Sequence, residues 1–251
     1  MSQYNTKFIT VYSPQGGNGK SVLAATIAEI YALKGYETIL VDAAEYGSLS
    51  AILNIPFAQA HGFDMMLDRI QSELEEEKKA EYLRSGLVQH ETIKKLKMLL
   101  SGDPISISLI KEQRAEEICS ILKSQNADIV IFDTSSELSL FKLTLFEMSE
   151  KVIVPIKGDL TSVLRTGLLQ DIWRQSGFAS SKLNLILNMK DKKTSLSEDE
   201  IEKKCGAKVI CSIPDFGAEF RKKCNEGILP VKMRGKIKKI FLEAAEKILN
   251  Y

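Results

Sequence analysis

The residues with the most chemistry in this 251-residue chain stand together at positions 13–21, SPQGGNGKS. A polyoxyanion needs many N–H donors and a close approach by the backbone. Gly16, Gly17 and Gly19 allow both, because they have no Cβ to collide with the anion. Lys20 adds a mobile cation suited to β- and γ-phosphates, and Ser21 a hydroxyl suited to Mg²⁺. Gln15, Asn18 and Val22 complete the stretch that would touch such a ligand. Glycine turns are common, so the run alone says little. Its context says more: it follows KFITVYS (7–13), a buried-strand pattern, and opens SVLAATIAEIYALKG, a helix ending at Gly35. That arrangement aims the positive end of a helix at the loop.

The elements that must position this loop alternate along the whole chain. TILVDAA (38–44) is the next strand pattern, and 64–84, with the run ELEEEKK, reads as a solvated helix. A further helix is expected over 87–95, feeding a strand at LKMLL (96–100). EQRAEEICSILKSQN (112–126) is amphipathic, and ADIVIFD (127–133) is a β-branched strand. KVIVPI (151–156), KLNLILN (182–188) and KVICSIP (208–214) add three more. Uniformly apolar strands separated by helices predict a parallel sheet covered on both faces. The expectation is one doubly wound α/β domain over 1–251, with a mostly parallel sheet of seven or eight strands and its ligand at their carboxyl ends.

The loop departs from GxxxxGK[ST] by carrying Pro14 at the first glycine. It fits better the x-K-G-G-x-x-K-[ST] variant of the MinD/ParA group of P-loop ATPases, which the chain resembles over most of its length. TILVDAAEYGSLS resembles that family's second strand and switch I, and DIVIFDTSSE its switch II. The resemblance implies ATP and Mg²⁺ as cofactors, with Ser21 and Asp133 as the metal-side groups and Lys20, Asp42 and Asp133 as the catalytic candidates. LILN places Asn188 where the family reads adenine. IPDFGAEFRKKCNEGILP places Pro214 and Asp215 over the base and ends in G-x-x-P at Gly227 and Pro230.

Two departures bear on mechanism. The family's signature lysine, which crosses a dimer to the partner's phosphates, is here Gln15. The second aspartate of its switch I D-x-D is here Ala44, with Glu45 next to it as a substitute. Phosphoryl transfer depends on positioned water and neutralised charge, so both losses predict ATP binding with slow or absent hydrolysis. The missing lysine resembles the CpaE/TadZ pilus-assembly branch. The family resemblance implies an ATP-dependent homodimer that positions a partner protein or cargo. The alternatives are a non-hydrolysing scaffold and a DNA-partitioning ATPase.

Composition narrows the remaining classes. The net charge is +1, with 44% hydrophobic and 27% charged residues, so affinity for DNA or membrane needs a local patch. Residues 219–251 offer one, with nine Lys or Arg against four Glu. GKIKKIFLEAAEKILNY fits an amphipathic membrane helix, a DNA contact, or a helix packing Ile237, Ile240, Phe241, Ala244 and Ile248 on its own sheet. Packing is the favoured expectation, as it is for Leu164, Leu168, Leu169, Ile172 and Trp173. No signal peptide or spanning segment is legible, so a cytoplasmic protein is expected, with peripheral contact at the inner membrane face or cell pole. Cys119, Cys205, Cys211 and Cys224 show no metal spacing and read as reduced thiols. One terminal tyrosine, Tyr251, argues against a tyrosine-kinase relative.

Overall fold

The sheet starts from short segments rich in β-branched and aromatic residues, which favour extended backbone. In the computed structural model, residues 5–56, 62, 63, 66, 75–108, 110 and 112–250 are described. The strands are β1 (Lys7–Val11), β2 (Thr38–Asp42), β3 (Val88–Gln89), β4 (Leu96–Leu99), β5 (Ile129–Asp133), β6 (Lys151–Ile156), β7 (Leu183–Lys190) and β8 (Lys208–Pro214). They form one sheet in the order β3-β4-β2-β5-β1-β6-β7-β8. Every pairing is parallel except that of β3 with β4. The strand order runs outward in both directions from β1, which places a crevice at its carboxyl end.

Helices cover both faces because alternate strand residues point to opposite sides. Ile9, Val11, Ile129 and Ile131 join a core shared with α1 (Lys20–Leu33) and the helix Lys236–Asn250. Phe8, Val130 and Phe132 join the core on the other face with the helices Glu112–Lys123 and Leu140–Met148. A third cluster gathers Tyr12, Phe146, Val154 and Trp173 around the helix Leu160–Gln175.

Four of the expectations meet the structure here. The 87–95 segment is not a helix: Val88 and Gln89 pair antiparallel with Met98 and Lys97. His90 Nδ1 accepts from the N–H groups of Thr92 and Ile93, and the Gln89 amide donates to the carbonyls of Ile93, Lys94 and Leu96. Side chains that satisfy local backbone in this way compete with helix, and a turn results. The expected helix over 64–84 is described from Glu76 to Gly86, and most of 64–74 lies outside the described residues. The leucine run of Leu160–Gln175 divides. Leu169 and Trp173 are buried, whereas Leu164 and Leu168 stand 57% and 64% exposed, with Leu160 beside them. The C-terminal helix does bury its apolar face, through Phe241, Ala244 and Ile248, with Ile237 and Ile240 partly covered.

Candidate functional site

The loop between β1 and α1 turns on two glycines in the left-handed region, Gly17 at φ 75° and Gly19 at φ 81°. Gly19 has a second constraint, since a Cβ there would stand 2.5 Å from Asn188 Nδ2. Gly19 caps α1 without any side-chain hydrogen bond, and no acidic residue lies in the first turn. The first N–H groups of α1 are therefore left for an anion. Asn18 is buried and its Nδ2 donates to Ser13 Oγ at 2.9 Å, bracing the loop across its base. The Asn188 amide donates to the Asn18 carbonyl at 2.8 Å. Gln15 Oε1 accepts from Ser162 Oγ at 3.2 Å, which ties the loop to the first turn of Leu160–Gln175. Lys157 Nζ lies 3.9 Å from where a Gly17 Cβ would stand, and it makes no ion pair among the described residues.

Lys20 projects from the start of α1 and donates to Ser136 Oγ at 2.7 Å. Burial lowers its pKa, and Lys142 adds to this while Asp133 opposes it. Asp42 and Asp133 end neighbouring strands and stand opposite one another in register. Both are buried. Burial, then the charge of Asp42, raises the Asp133 pKa, while Ser21 and Lys20 pull against that rise. Burial raises Asp42 as well, opposed by the N–H of Leu49, which donates to its Oδ2 at 3.1 Å. Asp42 Oδ1 and both oxygens of Asp133 accept no hydrogen bond. Buried carboxylate oxygens without donors beside a serine hydroxyl fit a hard divalent cation. No cage of three or more acidic, His or Cys side chains exists among the described residues. That suits Mg²⁺, which keeps waters and takes phosphate oxygens as ligands.

Two cavities flank the loop. One, of about 190 Å³, is lined by Val22, Asn188, Met189, Pro214, Asp215 and the rings of Phe216 and Phe220. Asp215 is engaged there as an acceptor for Gly217 N and Arg221, both at 2.8 Å. The other, of about 350 Å³, is lined by Lys20, Ser21, Ala44, Glu45 and the segment 134–137. The expected residues are thus distributed in order: Gln15, Gly16, Gly17, Asn18 and Gly19 in the loop, Asn188, Pro214 and Asp215 on one side, and Lys20 and Ser21 on the other. Asp42 and Asp133 lie at the strand ends beneath.

The AAA domain family model matches residues 6–189. The chain belongs to that family. No curated protein matches the sequence. Among solved structures, the ParA family ATPase from Chlorobium tepidum superposes with a TM-score of 0.81 at 19% identity, over 96% of this chain and 98% of that one. The MinD septum site-determining protein from Pyrococcus horikoshii, solved with Mg-ADP, gives 0.78 at 18% identity, covering 98% and 96%. An ATP complex of a McdA variant from Cyanothece gives 0.72 at 17%, covering 98% and 96%. The fold is that of the MinD/ParA-type P-loop ATPases.

This AAA domain chain places several groups at the site that motif reading passed over. Phe216 and Phe220 belong to the quoted segment IPDFGAEF, and their spacing on one helical face was the available signal. Ser162 and Lys157 belong to the stretch KVIVPIKGDLTSVL, which resembles the family's strand and turn after switch II, and they reach the loop because β6 runs beside β1. Lys142 is a buried cation in a largely apolar helix, and nothing in its spacing points to the site.

Proposed function

We propose that this chain is a single-domain, ATP-binding switch of the MinD/ParA type, spanning residues 1–251, with slow hydrolysis. One observation carries the reading. A loop whose N–H groups are left for an anion lies between an aromatic cavity sized for a base and a polar cavity backed by two buried carboxylates, three of whose four oxygens lack a donor. The loop amides and Lys20 take the phosphates. Ser21 and Asp133 hold Mg²⁺, which neutralises charge that develops on the γ-phosphate. Asn188, Pro214 and Asp215, with Phe216 and Phe220, enclose the adenine. The Mg-ADP carried by the Pyrococcus MinD structure and the ATP of the McdA complex support the choice of nucleotide.

ATP favours a homodimer, and the dimer presents a surface to a partner protein or cargo in the cytoplasm, at the membrane face or at the cell pole. The γ-phosphate acts only through its different affinity for monomer and dimer. With Gln15 neutral and tied to Ser162, that difference is smaller than a lysine would give. No helix among the described residues is long and apolar enough to cross a membrane. Because the apolar face of the C-terminal helix is covered, contact with an anionic surface falls to its exposed cations Lys236 and Lys238 and to Arg234 just before it, which suit DNA phosphates equally.

A second reading, a non-hydrolysing scaffold that keeps ATP as a structural ligand, draws on Gln15 and on the bare methyl of Ala44 in the polar cavity. Light scattering with Mg·ATP and then Mg·ADP, alongside calorimetric titration and a phosphate-release assay, separates the two. A mass that doubles only in ATP, with slow phosphate release, is the expected result. Binding without release or mass change leaves the scaffold. No ATP binding at about 1 mM sinks both.

A further inference from the structure

Lys142 has no exposed side-chain surface, yet it ends in an ammonium. A buried cation is tolerated only when its donors are matched. Its Nζ donates to Glu45 Oε1 and to Ser135 Oγ, both at 2.6 Å. The three groups come from three segments: the loop after β2, the loop after β5, and the helix Leu140–Met148, whose start is fixed by Ser139 accepting from the Lys142 N–H. Glu45 and Ser135 face the polar cavity that holds Lys20 and Ser21, and Lys142 closes the arrangement from behind.

The other acidic groups there are poorly placed for chemistry on a γ-phosphate. Asp42 is sunk below the cavity with one oxygen bonded to Leu49 N. Ala44, the next position with its side chain toward the cavity, ends in a methyl. Glu137 lines the cavity but is exposed and held by nothing. Among the described residues, Glu45 is the one carboxylate both at the cavity and locked in position. Burial alone would raise its pKa, but Lys142 and Ser135 outweigh that and hold the carboxyl below the ordinary range, so it is ionised at neutral pH.

We propose that Glu45 orients the attacking water at this site in place of the carboxylate absent at Ala44, and that Lys142 and Ser135 are positioning residues that hold Glu45 there. The inference rests on the ATP reading given above. The water oxygen bonds to the γ-phosphorus as the bond from phosphorus to the bridging oxygen of ADP breaks. The water proton passes to the Glu45 carboxylate and then to the released phosphate, leaving ADP, inorganic phosphate and an ionised Glu45. A base held below its ordinary pKa is a modest proton acceptor, so its contribution is mainly orientation. This matches slow turnover.

The test uses the full chain with Mg·ATP, reading ATP affinity, kcat and thermal unfolding separately. Glu45→Gln is expected to lower kcat about a hundredfold while ATP affinity stays within about threefold. Glu147→Gln, exposed on the same helix as Lys142 and outside the cavity lining, is expected to leave kcat unchanged. Lys142→Met is expected to lower kcat about tenfold at constant KM, and Ser135→Ala, which disturbs packing less, to lower it by a smaller factor in the same way. In an Ala44→Asp background a second carboxylate is present, so adding Glu45→Gln is expected to cost less than about threefold. Glu45→Gln that binds ATP and turns over like the parent overturns the proposal. So does a parent that binds ATP with no hydrolysis at all. A parent that fails to bind ATP overturns the reading beneath it, and the affinity measurement reports that separately.

Discussion

Asp133→Asn should stabilise the nucleotide-free protein and abolish its response to Mg·ATP. Asp133 and Asp42 stand opposite each other at the ends of β5 and β2, both buried, with three of their four oxygens lacking any donor. Burial, then the neighbouring Asp42 charge, raises the Asp133 pKa. With a raised pKa, the folded chain holds more protons than the unfolded one. Its contribution is therefore complete below the unfolded value of about 3.9 and is lost as pH climbs toward the raised value. Each pH unit in that window costs up to about 1.4 kcal/mol for one such group. Between about pH 5 and pH 7, the Asp133–Asp42 pair removes up to about 3 kcal/mol. For a chain of this size that is a fall in Tm of about 5–10 °C. Asparagine has no proton to lose. Circular-dichroism melts of parent and variant, nucleotide-free across that range and again with Mg·ATP, measure both effects. A parent Tm that rises or stays flat over the interval, or a variant that melts lower at pH 7, refutes the reasoning.

Other substitutions test other parts of the site and its frame. Gly19→Ala sets a Cβ against Asn188 at a left-handed residue; a loss of about 1–2 kcal/mol and much weaker ATP binding are expected, by melting and titration. Lys157→Met removes the unpaired cation beside Gly17 and is expected to weaken ATP affinity by up to about tenfold with Tm unchanged. Trp173→Ala deletes a buried ring that packs on Phe146 and Phe178 and donates to the Ala179 carbonyl; denaturant melts should show a loss of about 3–5 kcal/mol. Leu164→Lys, on the exposed side of the same helix, should change stability by less than about 0.5 kcal/mol.

The parallel sheet was legible because its strands are apolar on both faces, and the phosphate loop because glycine, lysine and serine stand at fixed offsets between a strand and a helix. Both signals are local. The groups that complete the site are not. Lys142 reaches Glu45 across 97 positions and Ser162 reaches Gln15 across 147, so neither pair leaves a trace in spacing. The stretch 87–95 misled because the deciding interactions are side-chain hydrogen bonds with nearby backbone, the Gln89 amide donating to carbonyls and His90 Nδ1 accepting from the N–H groups of Thr92 and Ile93. The leucines of Leu160–Gln175 misled for the opposite reason: periodicity marks a stripe but not how wide a stripe the sheet can cover, and Leu164 and Leu168 fall outside it. A branch within the family turns on residues 13–20 and on Ala44 in switch I, too few for the fold to arbitrate.

The hydrogen bond from the Asn188 amide to the Asn18 carbonyl does more than brace the loop. A carbonyl can only accept, so the amide must turn its nitrogen to the loop and its oxygen elsewhere. The base entering beside it therefore meets an acceptor. Adenine offers an exocyclic amine at its sixth position, whereas guanine offers another acceptor. Two facing oxygens leave each other unsatisfied, and a buried polar mismatch of that kind rejects a ligand more sharply than any gap in size. On the ATP reading proposed above, a preference between the two common cellular purine triphosphates would follow from the phosphate loop itself, because the peptide that bends around the anion dictates which way the Asn188 amide faces.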